Sequence, residues 1–170
     1  RVGGDGGLRG RREGGGRVPG VRVGRALDAD TVALASGFGG PVVIRVPVGV
    51  DAGAVEVTID GAYEAPRFVA GETTENAWLT AREAPAPWAS LETSKVAFFV
   101  PSELIRTLEA PLALMSVWDQ VLDADATLSA IPLDRPRAEV IVADRQISAC
   151  WMHSGYPIMA NVDAAPGFVD

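Results

Sequence analysis

The stretch ISACWMHSGYPIMANVDAAP, from Ile147 to Pro166, brings together more chemically distinctive side chains than any other part of the chain. Trp151, His153 and Tyr156 lie within six residues of one another, around a Gly-Tyr-Pro turn signal. A β-branched run over Ala138 to Ala143 precedes this stretch and predicts a strand. We therefore expect this group of side chains to follow directly on a β-sheet.

The residues before this strand predict helices. Ser102 is a favourable N-cap for a short helix through Leu108. Pro111 suits the first turn of a longer helix that runs to about Ala130. One apolar stripe at spacings of three and four should pack this helix on a sheet; its members are Leu112, Met115, Trp118, Val121 and Leu122.

From Val21 to Val100 the pattern predicts β-structure. Val42 to Val46 is a short run of β-branched residues that includes Arg45, and apolar and polar residues alternate from Val55 to Asp60. Further strands are expected over Tyr63 to Ala70, Lys95 to Val100 and Ile147 to Met152. Strands followed by helices and more strands predict an α+β fold with a β-rich N-terminal region.

Composition limits the classes of function. The chain has 170 residues, of which 48% are hydrophobic and 22% charged, as expected for a globular protein with one domain or a domain and part of another. Its net charge of −7 argues against a nucleic-acid partner. Cys150 is the single cysteine, so no intrachain disulfide is expected, and no apolar run reaches the length of a membrane span.

The first 20 residues differ from the rest. Arg1 to Gly20 is rich in glycine and arginine and has almost nothing to bury, which predicts a flexible linker or tail or an artefact of a shifted reading frame. The chain begins with Arg1 and ends at Asp170, and we expect both ends to be cut from a longer protein. Residues 21–170 would then be an incomplete domain.

His153 and Cys150 are the residues that a metal site would use first. They are three residues apart with Asp163 downstream, but a catalytic zinc ion needs about three such ligands. We therefore favour the interpretation in which Cys150 packs as a small hydrophobic residue and His153 lines or caps a loop. Trp88 lies in the proline-rich segment EAPAPW (Glu83 to Trp88), where it either stacks on a sugar or anchors the loop in the core.

Several segments in order resemble the enhancin-like, mucin-degrading zinc metallopeptidases. They are SGFGGPVVIRVP (Ser36–Pro47), VEVTIDGAYEAPRFVAGETT (Val55–Thr74), EAPAPW, VPSELIRTLEAPLALMSVWDQV (Val100–Val121) and ISACWMHSGYPIMANVD (Ile147–Asp163). The resemblance covers about Arg25 to Asp170. It implies a β-rich region that leads into the start of a thermolysin-like zinc peptidase subdomain.

The resemblance also implies an activity and a setting. In that family a zinc-bound water hydrolyses peptide bonds in glycoproteins such as mucins, in secreted or cell-surface proteins. The zinc ligands of its His-Glu-x-x-His motif are not in this chain, which has one histidine, and are expected beyond Asp170. The chain itself is therefore expected to be inactive, without catalytic residues, and of marginal stability without the active-site helix.

By the same analogy, extended substrate pairs with an edge strand before that helix. Ser154 to Ala160 is the candidate for that edge or for its approach, because Pro157 suits a strand with a free side. The candidate cleft residues are Trp88, Trp151, His153, Gly155 and Tyr156. The alternative function is a carbohydrate- or mucin-binding adhesion module that stacks sugars on Trp88, Trp151 and Tyr156.

Overall fold

The computed structural model describes residues 23–36, 39–47, 49–145 and 151–170. Within these ranges, six strands form one sheet that three α-helices accompany. The strands are β1 (Arg67–Val69), β2 (Trp88–Glu92), β3 (Val96–Pro101), β4 (Glu139–Asp144), β5 (Met152–His153) and β6 (Ile158–Asn161). The helices are α1 (Glu75–Ala81), α2 (Pro111–Leu128) and α3 (Pro166–Val169), with short 3-10 turns at Ser102–Leu104 and Val162–Ala164.

The sheet is mixed, and its strand order is β1-β2-β3-β4-β6-β5. Three neighbouring pairs are parallel, namely β1 with β2, β3 with β4, and β4 with β6. The β2–β3 and β5–β6 pairs are antiparallel. Helices joining parallel strands, together with antiparallel hairpins, confirm the predicted α+β class.

One face of the sheet forms the core. Phe98 pairs across the ladder with Leu91 on one side and Ile141 on the other, and it is fully buried. Its ring lies 4.9 Å from that of Trp118 on α2 and stacks 5.4 Å from that of Phe168 on α3. Aromatic pairs in such arrangements add to the stabilisation from area burial. Both helices therefore pack against this central side chain of the sheet.

Helix α1 is short, but it carries the largest fully buried side chain. Thr74 caps its first turn by accepting a hydrogen bond from the amide of Ala77 at 3.2 Å. Trp78 packs edge-on against Phe68, and its indole N–H donates to the carbonyl oxygen of Leu108 at 2.7 Å. This helix was not predicted from the sequence.

The hairpin between β2 and β3 is tied to α2 by polar contacts. The hydroxyl of Thr93 donates to Asp119 at 2.6 Å and accepts from the amides of Lys95 and Val96 within the turn. The ammonium group of Lys95 forms an ion pair with Asp123, one helical turn further along α2. These contacts fix the position of α2 along the strands.

Three predicted elements are found nearly where the sequence placed them. Helix α2 begins at Pro111 and ends at Leu128, and β3 and β4 differ from the predicted strands by a residue at each end. The predicted stripe on α2 is half right. Met115 is buried and Trp118 and Leu122 pack against the core, but Leu112 and Val121 are 54% and 47% exposed.

The predicted β-rich N-terminal region is wrong for residues 23–66, among which the structure describes no strand. The strand expected over Tyr63 to Ala70 is confined to β1. Ser102 does not cap an α-helix but lies in the first 3-10 turn, and its hydroxyl donates to the carbonyl oxygen of Ala86 at 2.6 Å. Residues 1–20, Cys150 and most of the strand expected over Ile147 to Met152 lie outside the described residues.

Candidate substrate cleft at the edge of the sheet

The edge strand next to the predicted cleft is β5. Met152 and His153 pair with Ala160 and Met159 of β6, and within the described residues β5 has no ladder on its other side. The amide of Asn161 extends this pairing by donating to the carbonyl oxygen of Trp151 at 2.7 Å. A strand paired on one side presents backbone donors and acceptors to an extended peptide.

Ser154 to Ala160 was predicted as the edge or its approach. The edge prediction is wrong for Ile158 to Ala160, whereas residues 154–157 lie in the connection that directly follows β5. Strand β6 is paired on both sides, with β4 and with β5. Pro157 lies in the connection before β6, where its missing N–H removes no ladder hydrogen bond, so it does not mark an edge. Gly155 in the same connection has φ +143°, a backbone conformation that favours glycine and that allows the short turn from β5 to β6.

The two residues of β5 face opposite sides of the sheet. Met152 shares a ladder row with Ala160 and, through β4, with Ala143 of the core, so it points to the helix side. His153 therefore points to the opposite side, next to Met159. Its Nε2 atom is buried, and within the described ranges it has no hydrogen-bond partner.

Trp151 and Tyr156 flank this edge, and their side chains differ in exposure to solvent. Trp151 is 56% exposed. Tyr156 is half-buried, its hydroxyl donates to the carbonyl oxygen of Ala138 at 3.1 Å, and the Arg137 guanidinium lies 3.5 Å from the centre of its ring. The Arg137 contact covers one face of the Tyr156 ring. Of these two aromatic residues, Trp151 offers the more open surface to a ligand.

Trp88 is not part of this group. It begins β2, it is half-buried, and it packs against the hydrophobic core. Strands β3, β4 and β6 separate β2 from β5, which corresponds to about 19 Å at the usual strand spacing. The structure thus brings together Trp151, His153, Gly155 and Tyr156 and places Trp88 elsewhere.

The described residues do not provide a zinc site. None of the ranges that the structure describes contains a group of three or more His, Cys, Asp or Glu side chains that could hold a metal ion. His153 belongs to no such group of three in those ranges, and Cys150 lies outside them. Three protein ligands are the usual minimum for catalytic zinc, so the residues present do not fit the ion.

A second depression lies at the carboxyl ends of the parallel strands, but its groups are solvated. It has a volume of about 390 Å³, and its charged lining residues are Glu103, Arg145 and Asp163. Arg145 and Glu103 approach to 3.8 Å while both side chains are about 70% exposed. Exposed ion pairs of this kind contribute little free energy, and the arrangement defines no reactive group.

Residues 61–170 match the profile of the family "Peptidase M60, enhancin and enhancin-like". That match covers more than half of the chain, and the chain belongs to this family. The predicted resemblance is confirmed. Within the part of the chain that the structure describes, no helix is both long and apolar enough to cross a membrane.

Two similar proteins are channel-associated factors. The chain is 41% identical over 145 residues to a TRPM8 channel-associated factor homolog of Xenopus laevis, which is 85% of this chain and 16% of that protein. It is 39% identical over 155 residues to TRPM8 channel-associated factor 2 of Bos taurus, or 91% of this chain and 17% of that protein. The chain thus spans about a sixth of the length of these curated relatives.

Two solved structures are also similar in fold. One is the M60 catalytic domain of Clostridium perfringens ZmpC in complex with the sialyl T antigen, with a TM-score of 0.49, 13% identity, and coverage of 64% of this chain and 26% of that chain. The other is a metallopeptidase from Bacteroides thetaiotaomicron, with a TM-score of 0.49, 11% identity, and coverage of 61% and 18%.

Proposed function

We propose that this chain is the scaffold part of an M60 peptidase domain that acts on glycoproteins such as mucins, and that the β5 edge is one wall of its substrate cleft. The observation that carries the proposal is the outer edge of β5, which no described strand covers, within a family-matched region. An extended substrate would add to this edge through backbone hydrogen bonds, with Trp151 beside it as an apolar surface for a sugar or side chain.

The metal would come from elsewhere in the full-length protein. The described residues offer no ligand set, and the relatives are about six times as long as the matched region. We therefore expect zinc ligands outside this chain and no peptidase activity from the 170 residues alone. Because mucins and related glycoproteins are extracellular, the proposal includes secretion or display at the cell surface.

A second apolar surface supports the role of a scaffold. Helix α2 packs one side on the sheet, yet Val117 and Val121 on its other side are 57% and 47% exposed and line a groove of about 430 Å³. Val169 and Asp170 line the same groove. Apolar surface beside a polar one commonly marks an interface. We propose that a further part of the same domain packs here.

The test is a cleavage assay on the full-length protein. A synthetic O-glycosylated mucin peptide would be incubated with the protein, with and without a zinc chelator, and the products analysed by mass spectrometry. The proposal predicts chelator-sensitive cleavage by the full-length protein and none by residues 1–170. Cleavage that a chelator leaves unchanged, or no cleavage by the full-length protein, would reject it. Recovery of the protein from the culture medium tests secretion separately.

The cleft assignment needs its own variant. Trp151→Ala should raise KM for the glycopeptide, because Trp151 is exposed beside the edge. Tyr63→Ala is the matched control, since Tyr63 is 78% exposed and lies outside the sheet. Equal KM values for the two variants would remove Trp151 from the cleft.

A second candidate function is association with an ion channel. The specific observation is the identity of about 40% to TRPM8 channel-associated factors, which far exceeds the identity to the metallopeptidase structures. Co-purification of the full-length protein with a TRPM8 channel, unaffected by chelator and without glycopeptide cleavage, would favour this function. Retained binding to a mucin glycan without cleavage would instead favour the adhesion module.

A further inference from the structure

Residues 42–59 expose apolar side chains that a folded protein normally buries. Eight aliphatic side chains in this segment are between 45% and 72% exposed: Val42, Val43, Ile44, Val46, Val50, Val55, Val57 and Ile59. A segment of this composition is unlike the polar, charged sequences that remain unfolded in full-length proteins. Contiguous exposed apolar surface in a soluble protein commonly marks an interaction site.

The described backbone of the segment lies outside the sheet and takes part in no strand ladder. In the parts of 39–60 that the structure describes, the hydrogen bonds are local ones, such as the amide of Val50 to the carbonyl of Pro47 and the amide of Gly53 to Asp51. No strand is formed there. Extended β-branched residues with unpaired backbone groups are suited to join the edge of a sheet.

The alternation of residues defines which side would be buried. Val55, Val57 and Ile59 occupy one face of an extended chain, and Glu56, Thr58 and Asp60 occupy the other. All six are exposed in the chain alone. A partner surface would therefore have to cover the valine and isoleucine face and leave the carboxylates in water.

In the relatives, the region that matches this segment is part of a longer polypeptide. The family profile covers 110 residues, 61–170, whereas the Xenopus relative matches 145, so at least 35 matched residues precede Gly61. That relative extends far beyond the matched region. The segment thus lies outside the region that matches the M60 profile, yet it is shared with much longer relatives.

We infer that residues 42–59 are a docking segment that adds strands to a β-sheet formed by another part of the full-length protein, outside the 170 residues and outside the M60 region. The partner has a free strand edge and an apolar face for Val55, Val57 and Ile59. This interface would fix the M60 region to the neighbouring domain. The inference does not depend on peptidase activity.

Amide hydrogen exchange tests it directly, on the full-length protein and on residues 1–170 at the same concentration. Amides of 42–46 and 55–59 should exchange at least about tenfold more slowly in the full-length protein than in the shorter chain. Equal exchange in both would overturn the inference. Protection in the shorter chain that grows with its concentration would also overturn it, because the partner would then be a second copy.

A pair of variants tests which face is buried. Val57→Asp should remove the protection of 55–59 in the full-length protein, whereas Thr58→Asp adds the same charge on the other face and should leave it. Neither should change the thermal midpoint of residues 1–170, because both side chains are exposed there. Val57→Thr provides a milder change if Val57→Asp prevents folding. Equal effects of Val57→Asp and Thr58→Asp would contradict the proposed face.

Discussion

Trp118 on α2 donates its indole N–H to the carbonyl oxygen of Phe168 at 2.9 Å, 50 residues further along the chain. The same two residues contact Phe98 of β3, so a hydrogen bond and three ring contacts join a helix, a strand and the last residues of the chain. Helix α3 also packs Phe168 and Val169 against the core, and Trp118 adds a hydrogen bond to this packing.

Trp118→Phe should destabilise the chain modestly. The substitution keeps a ring beside Phe98 but leaves the Phe168 carbonyl without its donor, which costs about 1–2 kcal/mol. Urea unfolding of the 170-residue chain measures the change. Gln120→Ala on the exposed side of α2 is the control, expected within about 0.5 kcal/mol of the parent. Equal midpoints for the two variants would show that this hydrogen bond contributes nothing.

The sequence was sufficient for elements with a strong periodic pattern. Helix α2 has Pro111 at its start and an apolar repeat over five turns, and β4 is a run of β-branched residues, so both were predicted nearly to the residue. Helix α1 is only seven residues long and has one buried side chain, Trp78. One buried position gives no period, and the signal that could have found α1 is Thr74 as an N-cap followed by Glu75.

The candidate site was predictable only where it is local in sequence. Trp151, His153 and Tyr156 lie close together because they are neighbours in sequence: Trp151 directly precedes β5, His153 is in it, and Tyr156 is in the turn after it. Trp88 was grouped with them wrongly, because the strand order of a sheet is not readable from the pattern of one strand. The same limit explains the edge, since β5 lies outside β6 although it precedes it in the chain.

Trp78 should be the most sensitive position in the first helix. It is fully buried against Phe68, and its replacement by alanine would leave a cavity that costs about 3–5 kcal/mol. For a domain of this size the midpoint of thermal unfolding should fall by more than about 10 °C. Leu79→Ala, on the neighbouring residue that is 47% exposed, should shift it far less. Circular dichroism during heating distinguishes them, and a similar shift for both would contradict the packing of α1.

The ion pair between Arg67 and Glu92 should make stability depend on acid pH. Burial alone would raise the pKa of Glu92, but hydrogen bonds from Arg67 at 2.9 and 3.0 Å and from Ser90 at 2.7 Å outweigh it and lower the pKa below its ordinary value of 4.5. A lowered pKa in the folded state means that the stabilisation is complete above about pH 4.5 and is lost as the pH falls through the lower folded value.

Glu92→Gln should remove this part of the acid dependence. Urea midpoints measured from pH 6 down to pH 3 should fall less steeply for the variant than for the parent chain. Glu56→Gln changes an exposed carboxylate outside the sheet and is expected to follow the parent. Parallel curves for the parent and Glu92→Gln would show that Glu92 is protonated alike in the folded and unfolded states.

Val117 tests whether the outer groove of α2 is covered in the full-length protein. In the 170-residue chain Val117 is 57% exposed, so Val117→Asp should change the unfolding free energy by no more than about 0.5 kcal/mol and should reduce binding of a hydrophobic dye. In the full-length protein a covered groove would bury the new carboxylate without a partner, at a cost of about 3 kcal/mol or more. Gln120→Asp adds the same charge on the exposed side of the helix and should be tolerated in both proteins. If the full-length protein tolerates Val117→Asp as well as Gln120→Asp, the groove stays open and the scaffold proposal loses its packing partner.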